Sequence, residues 1–235
     1  MLKTFFTKMY ENASEMNRRN LITLARRAGG GHGVKRLLDL GCDDGMWSRR
    51  LAEAVGAEEI HGVEVVEEQA RRAKANGVQV YTIDLNRPLT DLPSNAFDVV
   101  HANQVIEHVS SVDLFVSEVY RVLKPGGHAV ISTENGSSWH NVFAAAMGWQ
   151  IFSLTNVSSL KAGLGNPFAI QRGADPFTGT WTHKTIFNYR GLIEMFRAHG
   201  FRSVSIAGAG YFPLPAFLGR IDPRHSAFIT AFAQK

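Results

Sequence analysis

The chain has 235 residues, 45% apolar and 20% charged, which supplies one large core and excludes intrinsic disorder. Its longest apolar-leaning stretch, Val142 to Leu154, is broken by Gly148 and Gln150 and is too short to span a bilayer. The net charge of +4 comes from residues 1–36, which hold eight basic and two acidic side chains. The pairs Arg18–Arg19 and Arg26–Arg27 lie opposite Leu21, Leu24 and Ala25, the pattern of a solvated helix face rather than of a nucleic-acid reader. A lone cysteine, Cys42, excludes an intrachain disulfide and a multi-cysteine zinc site. With no secretory signal in the first residues, the expected compartment is the cytoplasm.

From residue 35 onward, strand-like and helix-like stretches alternate. Lys35–Leu40 reads as a buried strand, followed by a glycine-bounded turn and a helix over roughly 45–56. Glu59–Glu64 is a second strand, Glu67–Asn76 a charged helix, Val78–Ile83 a third strand and Phe97–Ala102 a fourth. Ser110 and Asp113 have capping-box spacing before a helix with Phe115, Val119 and Val122 on one face, stopped by Lys124-Pro125-Gly126-Gly127. His128–Thr133 is strand five. A helix over 186–199 and two strands, Phe201–Ala207 and Ala227–Ala233, close the chain, the last pair suited to an antiparallel edge. Such alternation predicts a single α/β domain with a doubly wound, Rossmann-like, mostly parallel sheet.

Residues 135–182 break the rhythm. They form a 48-residue connection with seven Phe or Trp residues, among them Trp139, Trp149 and Trp181, and three charges: Lys161, Arg172 and Asp175. The segment predicts a lid or substrate-binding insertion between a cofactor core (35–134) and a C-terminal helix and strand pair (183–235). Some of its aromatics are expected to pack on each other and some to face a pocket.

The stretch Leu37-Leu38-Asp39-Leu40-Gly41-Cys42-Asp43-Asp44-Gly45 carries the most chemistry. A strand enters a tight turn in which Gly41 permits close backbone approach and Gly45 leads into a helix. Asp43 and Asp44 would repel a pyrophosphate at that helix N-terminus, whereas the ammonium and sulfonium of S-adenosylmethionine tolerate carboxylates. The turn therefore favours S-adenosylmethionine over NAD. Glu64, at the end of strand two, suits ribose hydroxyls. Asp84, after strand three, suits an adenine amino group, or else makes an Asx turn before Asn86-Arg87-Pro88. Val65 and Leu85 follow these carboxylates and join the candidate set. Asn103 and Gln104, ending strand four, would face the methionine half.

LLDLGCDDG, Glu64, Asp84, NQVIEHV (103–109) and YRVLKPGGHAVIST (120–133) together resemble a class I S-adenosylmethionine-dependent methyltransferase, in the small-molecule branch that includes ubiquinone-biosynthesis O-methyltransferases. The resemblance covers 35–134 well and 183–207 moderately. It implies a seven-stranded sheet with a reversed last strand and cofactor contacts at Asp39, Gly41, Gly45, Glu64, Asp84 and Asn103. One departure is Asp43, where the commoner pattern has glycine.

Methyl transfer from a sulfonium needs alignment and, for a hydroxyl acceptor, a base. His108, just past strand four, and His183, between the insertion and the following helix, are the leading base candidates; His140 is third. Glu107, His108 and Glu134 are three scattered donors, and no metal is expected from them. The only cysteine sits in the cofactor turn, which disfavours pyrimidine C5 methylation, and Asn103-Gln104-Val105-Ile106 lacks the Pro-Pro-aromatic run of amino-methylating nucleic-acid enzymes. The expected partner is a small, largely apolar acceptor, methylated at oxygen, with no nucleic acid. The rivals are an RNA or protein methyltransferase using the basic N-terminal helix, and a non-catalytic binding module. Oligomeric state is left open.

Overall fold

Apolar residues on successive strand positions go to opposite faces of one sheet, and both faces are covered by helices. The computed structural model describes residues 2–30, 34–174 and 182–235, with side chains from Thr7 onward. The elements in chain order are α1 (Leu2–Ala28), β1 (Arg36–Leu40), α2 (Met46–Val55), β2 (Glu59–Val63), α3 (Glu67–Ala75), β3 (Gln79–Tyr81), β4 (Phe97–Asn103), α4 (Val112–Val122), β5 (Leu123–Glu134), α5 (Trp139–Ala146), α6 (Tyr189–Ala198), β6 (Ser203–Ala209), α7 (Leu218–Ile221) and β7 (Phe228–Gln234). The sheet order is β3-β2-β1-β4-β5-β7-β6, with β7 antiparallel to both neighbours and the other pairings parallel. This is the seven-stranded sheet with a reversed last strand.

Leu37, Val99, Val130 and Phe232 turn to the face covered by α1 and α2, where they meet Leu21, Ala25, Leu51 and Ala52. Their neighbours Leu38, Val100, Ile131 and Ala231 turn to the other face and pack with Phe115 and Val119 of α4 and Leu192 and Phe196 of α6. All sixteen are buried, so each strand reads as a near-continuous apolar run.

Helix α6 begins at Tyr189 rather than at 186 and β6 spans Ser203–Ala209 rather than 201–207, and three further departures from the sequence expectation have a local cause. Strand β3 has three residues instead of six, because the Ile83 N–H turns back to the Tyr81 carbonyl and curls the chain. The capping box does not form: Ser111 occupies the N-cap of α4 with no side-chain hydrogen bond, and the Ser110 N–H goes to Asn86 Oδ1 instead. Strand β5 starts at Leu123, directly after α4, and residues 124–127 bulge out between the pairs Phe97–Leu123 and Val99–His128.

Residues 135–174 hold α5, a short 3₁₀ turn at Phe152–Leu154 and irregular turns. The segment has a polar interior of its own: Asn141 Nδ2 donates to the Asn135 carbonyl and Ser153 Oγ, and Asn166 Nδ2 to the Gln150 carbonyl. Trp149 lies edge-on to Phe143 and tilted against Phe168, so part of the aromatic content does pack on itself. Asp175 and Trp181 lie outside the described residues. No helix among the described residues is long and apolar enough to cross a membrane.

Helix α1 is fastened to the sheet by a buried amide. Asn17 Nδ2 donates to Asn103 Oδ1, while its Oδ1 accepts from Ser132 Oγ and Thr230 Oγ1. Asn20 Nδ2 adds a bond to the Gly208 carbonyl. Replacing Asn17 by alanine strands the buried Ser132 and Thr230 hydroxyls and the half-buried Asn103 amide, so Asn17→Ala should cost about 2–4 kcal/mol and lower the melting temperature by roughly 5–15 °C. A melting curve superimposable on that of the parent would show that α1 is held by its apolar stripe alone.

Candidate active site

The strand order reverses between β1 and β4, and the carboxyl ends of β1, β2 and β4 open into one crevice of about 780 Å3. Ligands of open α/β sheets bind at such a switch point. Asp39, Gly41, Cys42, Asp43, Glu64, Val65, Asp84, Leu85, Asn103, Gln104, His108 and His183 all line it.

The turn after β1 is built by backbone bonds. The N–H groups of Gly41 and Cys42 both donate to the Val63 carbonyl, and Gly45 N–H donates to the Cys42 carbonyl. Gly41 has φ 75°, and a Cβ there would meet Val105 Cγ2 at 2.7 Å, so the position admits only glycine. Gly45 lies outside the crevice lining. At φ 78° it caps α2, and a Cβ would come within 2.9 Å of Val78 Cγ2 and 3.0 Å of Ala73 Cα. Its tight fit seats the turn on α3. Asp43, the departure from glycine, itself adopts φ 48°; burial first, then neighbouring Asp44, raise its carboxyl above the ordinary range. Cys42 is buried against Gly62, and burial pushes its thiol up, so it is a neutral packing group.

Glu64 is fixed at both oxygens: Oε2 accepts from the Asp43 N–H at 3.0 Å and Oε1 from the Val66 N–H at 2.9 Å. Each oxygen keeps a lone pair for a ligand hydroxyl. Asp84 makes the Asx turn, with Oδ1 accepting from the backbone and side-chain N–H groups of Asn86, and it also lines the crevice. Asp39 is buried, and its two oxygens are engaged by Ser48 Oγ at 2.6 Å and His101 Nδ1 at 2.7 Å. It forms the floor of the crevice. His101 and Trp47, whose Nε1 points to His101 Nε2 at 3.5 Å, complete that floor.

The far end is a histidine pair. The rings of His108 and His183 stand edge to face, 4.7 Å between centroids. His108 Nδ1 faces the Thr182 carbonyl at 3.2 Å and His183 Nδ1 faces the Ser153 carbonyl at 2.6 Å. Carbonyls only accept, so each Nδ1 carries a proton. Burial, reinforced by His183, lowers His108 to about 4, so it is neutral at pH 7. Glu107 lies behind them, fully buried: Oε2 accepts from Thr133 Oγ1, Oε1 has no partner among the described residues, and burial raises its carboxyl to about 8. Ligand atoms of Glu107, His108 and His183 all lie within 4.8 Å of one another, a set able to hold a divalent cation. The scattered donors of the sequence thus converge, with His183 in the place given to Glu134. His140 is elsewhere, in an apolar side pocket.

Tyr10 and Arg18 of α1 also enter the crevice, as do Trp47, His101 and Glu107. The first two carry no local motif. Glu107 stands next to His108 in a run already singled out, and its burial in the apolar turn after β4 was the missing information.

The chain belongs to the methyltransferase-domain family, which it matches over residues 11–206. It is 26% identical over 191 residues to the mitochondrial ubiquinone biosynthesis O-methyltransferase of Mus musculus, covering 77% of this chain and 45% of that protein. It is 32% identical over 125 residues to the ubiquinone biosynthesis O-methyltransferase of Idiomarina loihiensis, covering 49% of this chain and 51% of that protein. The chain thus spans about half the length of the curated relatives it matches. Among solved structures, an S-adenosylmethionine-dependent methyltransferase from Mesorhizobium loti superposes with a TM-score of 0.55 at 20% identity, over 86% of this chain and 91% of that one. The fold is that of the class I S-adenosylmethionine-dependent methyltransferases.

The buried ionisable groups give stability a defined pH dependence. A carboxyl raised from its ordinary value to about 8 makes the folded state the better proton binder, so Glu107 removes stability as pH climbs from about 4.5 through 8. His108 and His140, both lowered to about 4, act oppositely, but their contribution is complete above about 6.5. Between pH 6.5 and 8, in chelator-containing buffer, the parent should lose on the order of 1–2 kcal/mol and Glu107→Gln should not. Parallel denaturation profiles for the two proteins across that window would count against this assignment.

Proposed function

We propose that this chain transfers a methyl group from S-adenosylmethionine to an oxygen of a small, largely apolar acceptor. The observation that carries the reading is the continuity of the crevice, from Glu64 and Asp84 at one end, past Asn103, to the His108–His183 pair at the other. The sulfonium supplies the activated methyl group for in-line displacement. The residues present suit that cofactor: the turn offers carboxylates rather than the bare N–H cradle a pyrophosphate requires. Glu64 accepts from the ribose hydroxyls and Asp84 from the adenine amino group, beside the apolar side chains of Val65 and Leu85. Arg18, reaching in from α1, pairs with the carboxylate of the methionine end. Asn103, steadied by Asn17, and Gln104, whose Nε2 donates to Ser132 Oγ at 3.2 Å, border that end.

His108 Nε2 takes the acceptor's proton. Because the ring stays neutral well below pH 7, it is in the basic form throughout the neutral range, and His183 Nε2 lies beside it as the alternate acceptor. A second reading rests on the same three side chains: a divalent cation on Glu107, His108 and His183 would lower the acceptor hydroxyl's own pKa, and chelation would then abolish turnover. The insertion after β5, which sends Asn156 and Gln171 into the crevice, closes over the acceptor and excludes water. The names of the curated relatives, both O-methyltransferases of ubiquinone biosynthesis, support an oxygen acceptor of low polarity.

Two measurements test this. Glu64→Ala should weaken S-adenosylmethionine binding roughly 10–100-fold, with Glu64→Gln between it and the parent; unchanged calorimetric affinity removes Glu64 from the site. His108→Ala should lower turnover of a hydroxyl acceptor by about two orders of magnitude at constant cofactor affinity. That loss should shrink as pH rises and the acceptor ionises unaided. Normal turnover in His108→Ala, His183→Ala and the double variant would sink the base.

A further inference from the structure

Tyr10, Glu134 and Gln171 line both the crevice and the smaller apolar cavity beside it, and so form the neck between them. Of these only Glu134 is charged. The strand sets where it points. On β5, Val130 packs with α1 and α2, and Ser132 Oγ donates to Asn17 Oδ1 of α1, whereas Ile131 and Thr133 turn to the opposite face. Alternation along the strand therefore sends the Glu134 side chain to the α1 face, beyond Ser132. Tyr10 stands about two helical turns before Asn17, on the same stripe of α1. The two side chains are thereby turned toward each other, and the charge of Glu134, second only to burial, raises the Tyr10 hydroxyl above its ordinary range. Across the antiparallel pair, Glu134 stands opposite Phe228, whose ring is edge to face with that of Tyr10, 5.7 Å between centroids. The result is a half-buried carboxylate flanked by two aromatic rings, with no hydrogen bond or ion pair of its own among the described residues.

Resting on the reading of the crevice as the methyl-transfer site, we propose that Glu134 is a specificity residue selecting an acceptor with a cationic arm: an ammonium group lies against the Glu134 carboxylate and the rings of Tyr10 and Phe228, while the apolar body of the acceptor carries its reacting oxygen to His108. The carboxylate supplies charge-assisted hydrogen bonds, and each ring offers a cation the negative face of its quadrupole. Partial burial has already stripped the carboxylate of some water, so a cation gains more there than at an open surface. The wider field agrees in sign. Arg18 and Arg50 are the only guanidinium groups lining the crevice among the described residues, no lysine joins them, and carboxyl groups outnumber them. Arg50 is drawn to the Trp47 ring at the floor, 5.7 Å from its centroid, away from the neck. Gln171, the remaining neck residue, carries no charge to compete. An anionic arm meets repulsion from Glu134, and a neutral arm leaves the carboxylate unpaired.

The test separates binding from transfer. The full chain, saturated with S-adenosylhomocysteine, is titrated with tyramine, with its neutral isostere 4-propylphenol and with the anion 3-(4-hydroxyphenyl)propionate, followed by ligand-observed NMR. Tyramine should bind about tenfold tighter than 4-propylphenol, and the anion more weakly than either. Glu134→Gln should remove the gap and leave the affinities for 4-propylphenol and S-adenosylhomocysteine unchanged. Tyr10→Leu, which removes one ring and keeps the charge, should narrow the gap roughly two- to fivefold. Tyramine binding no tighter than 4-propylphenol, a gap that survives Glu134→Gln, or a loss of S-adenosylhomocysteine affinity in that variant overturns the assignment. Turnover of tyramine and 4-propylphenol with S-adenosylmethionine is then read by mass spectrometry. Glu134-dependent tyramine binding with neither phenol methylated at oxygen would sink the oxygen-acceptor reading and keep the ammonium site. Equal O-methylation of both phenols, unchanged in Glu134→Gln, would sink the ammonium site and keep the reading. Transfer to the tyramine nitrogen would overturn the placement, because the ammonium would then lie at the reacting end.

Discussion

The reversal of strand order between β1 and β4 is the constraint from which the site follows. Parallel strands leave all their carboxyl ends on one edge, and connections departing to opposite faces at that point cannot cover it. The turn after β1, Glu64 after β2 and Asn103 at the end of β4 therefore share one opening. Parallel pairing such as Asp39–Gly62 and Asp39–His101 sets how far each strand end projects into it.

Crowding beneath the turn fixes its chemistry. Gly62 lets Cys42 lie against β2, where a Cβ would come 2.5 Å from the Cys42 sulfur. Gly45 lets α2 start against Ala73 and Val78. With the backbone so constrained, the Asp43 N–H donates to Glu64 Oε2, and the carboxylate proposed to meet a ribose is held by the turn that borders it. A preformed acceptor of this kind loses little side-chain entropy on binding.

The other end of the crevice is governed by desolvation. Glu107, His108 and His140 lie in surroundings that penalise charge, and all three are displaced toward their neutral forms. Water exclusion strengthens each remaining polar contact, which is the condition under which a neutral imidazole can guide a proton. Those same surroundings leave Glu107 Oε1 and His140 Nδ1 without partners among the described residues. Stability is given up at both places.

The sequence by itself determined the alternation of elements, the glycine-bounded turn, the acidic strand ends and the antiparallel final strand pair, because each depends on local pattern: buried runs, turn residues and spacing along one strand; the reversal of the last strand within a seven-stranded sheet came from the family resemblance. Their positions after β4 and before α6 also singled out His108 and His183, which line the crevice. Only the tertiary structure decided the rest. Gly45 faces α3 rather than the crevice because the turn's direction depends on what packs beneath it. Tyr10 and Arg18 reach the crevice because Asn17 pins α1 to strands more than eighty residues away, and no periodicity within α1 encodes that partner. His183 stands beside Glu107 because the backbone N–H groups of Lys184 and Thr185 both donate to the Glu107 carbonyl, a contact across 77 and 78 positions of chain. Periodicity is a property of neighbours in sequence, and the convergence of distant donors is a property of the closed fold.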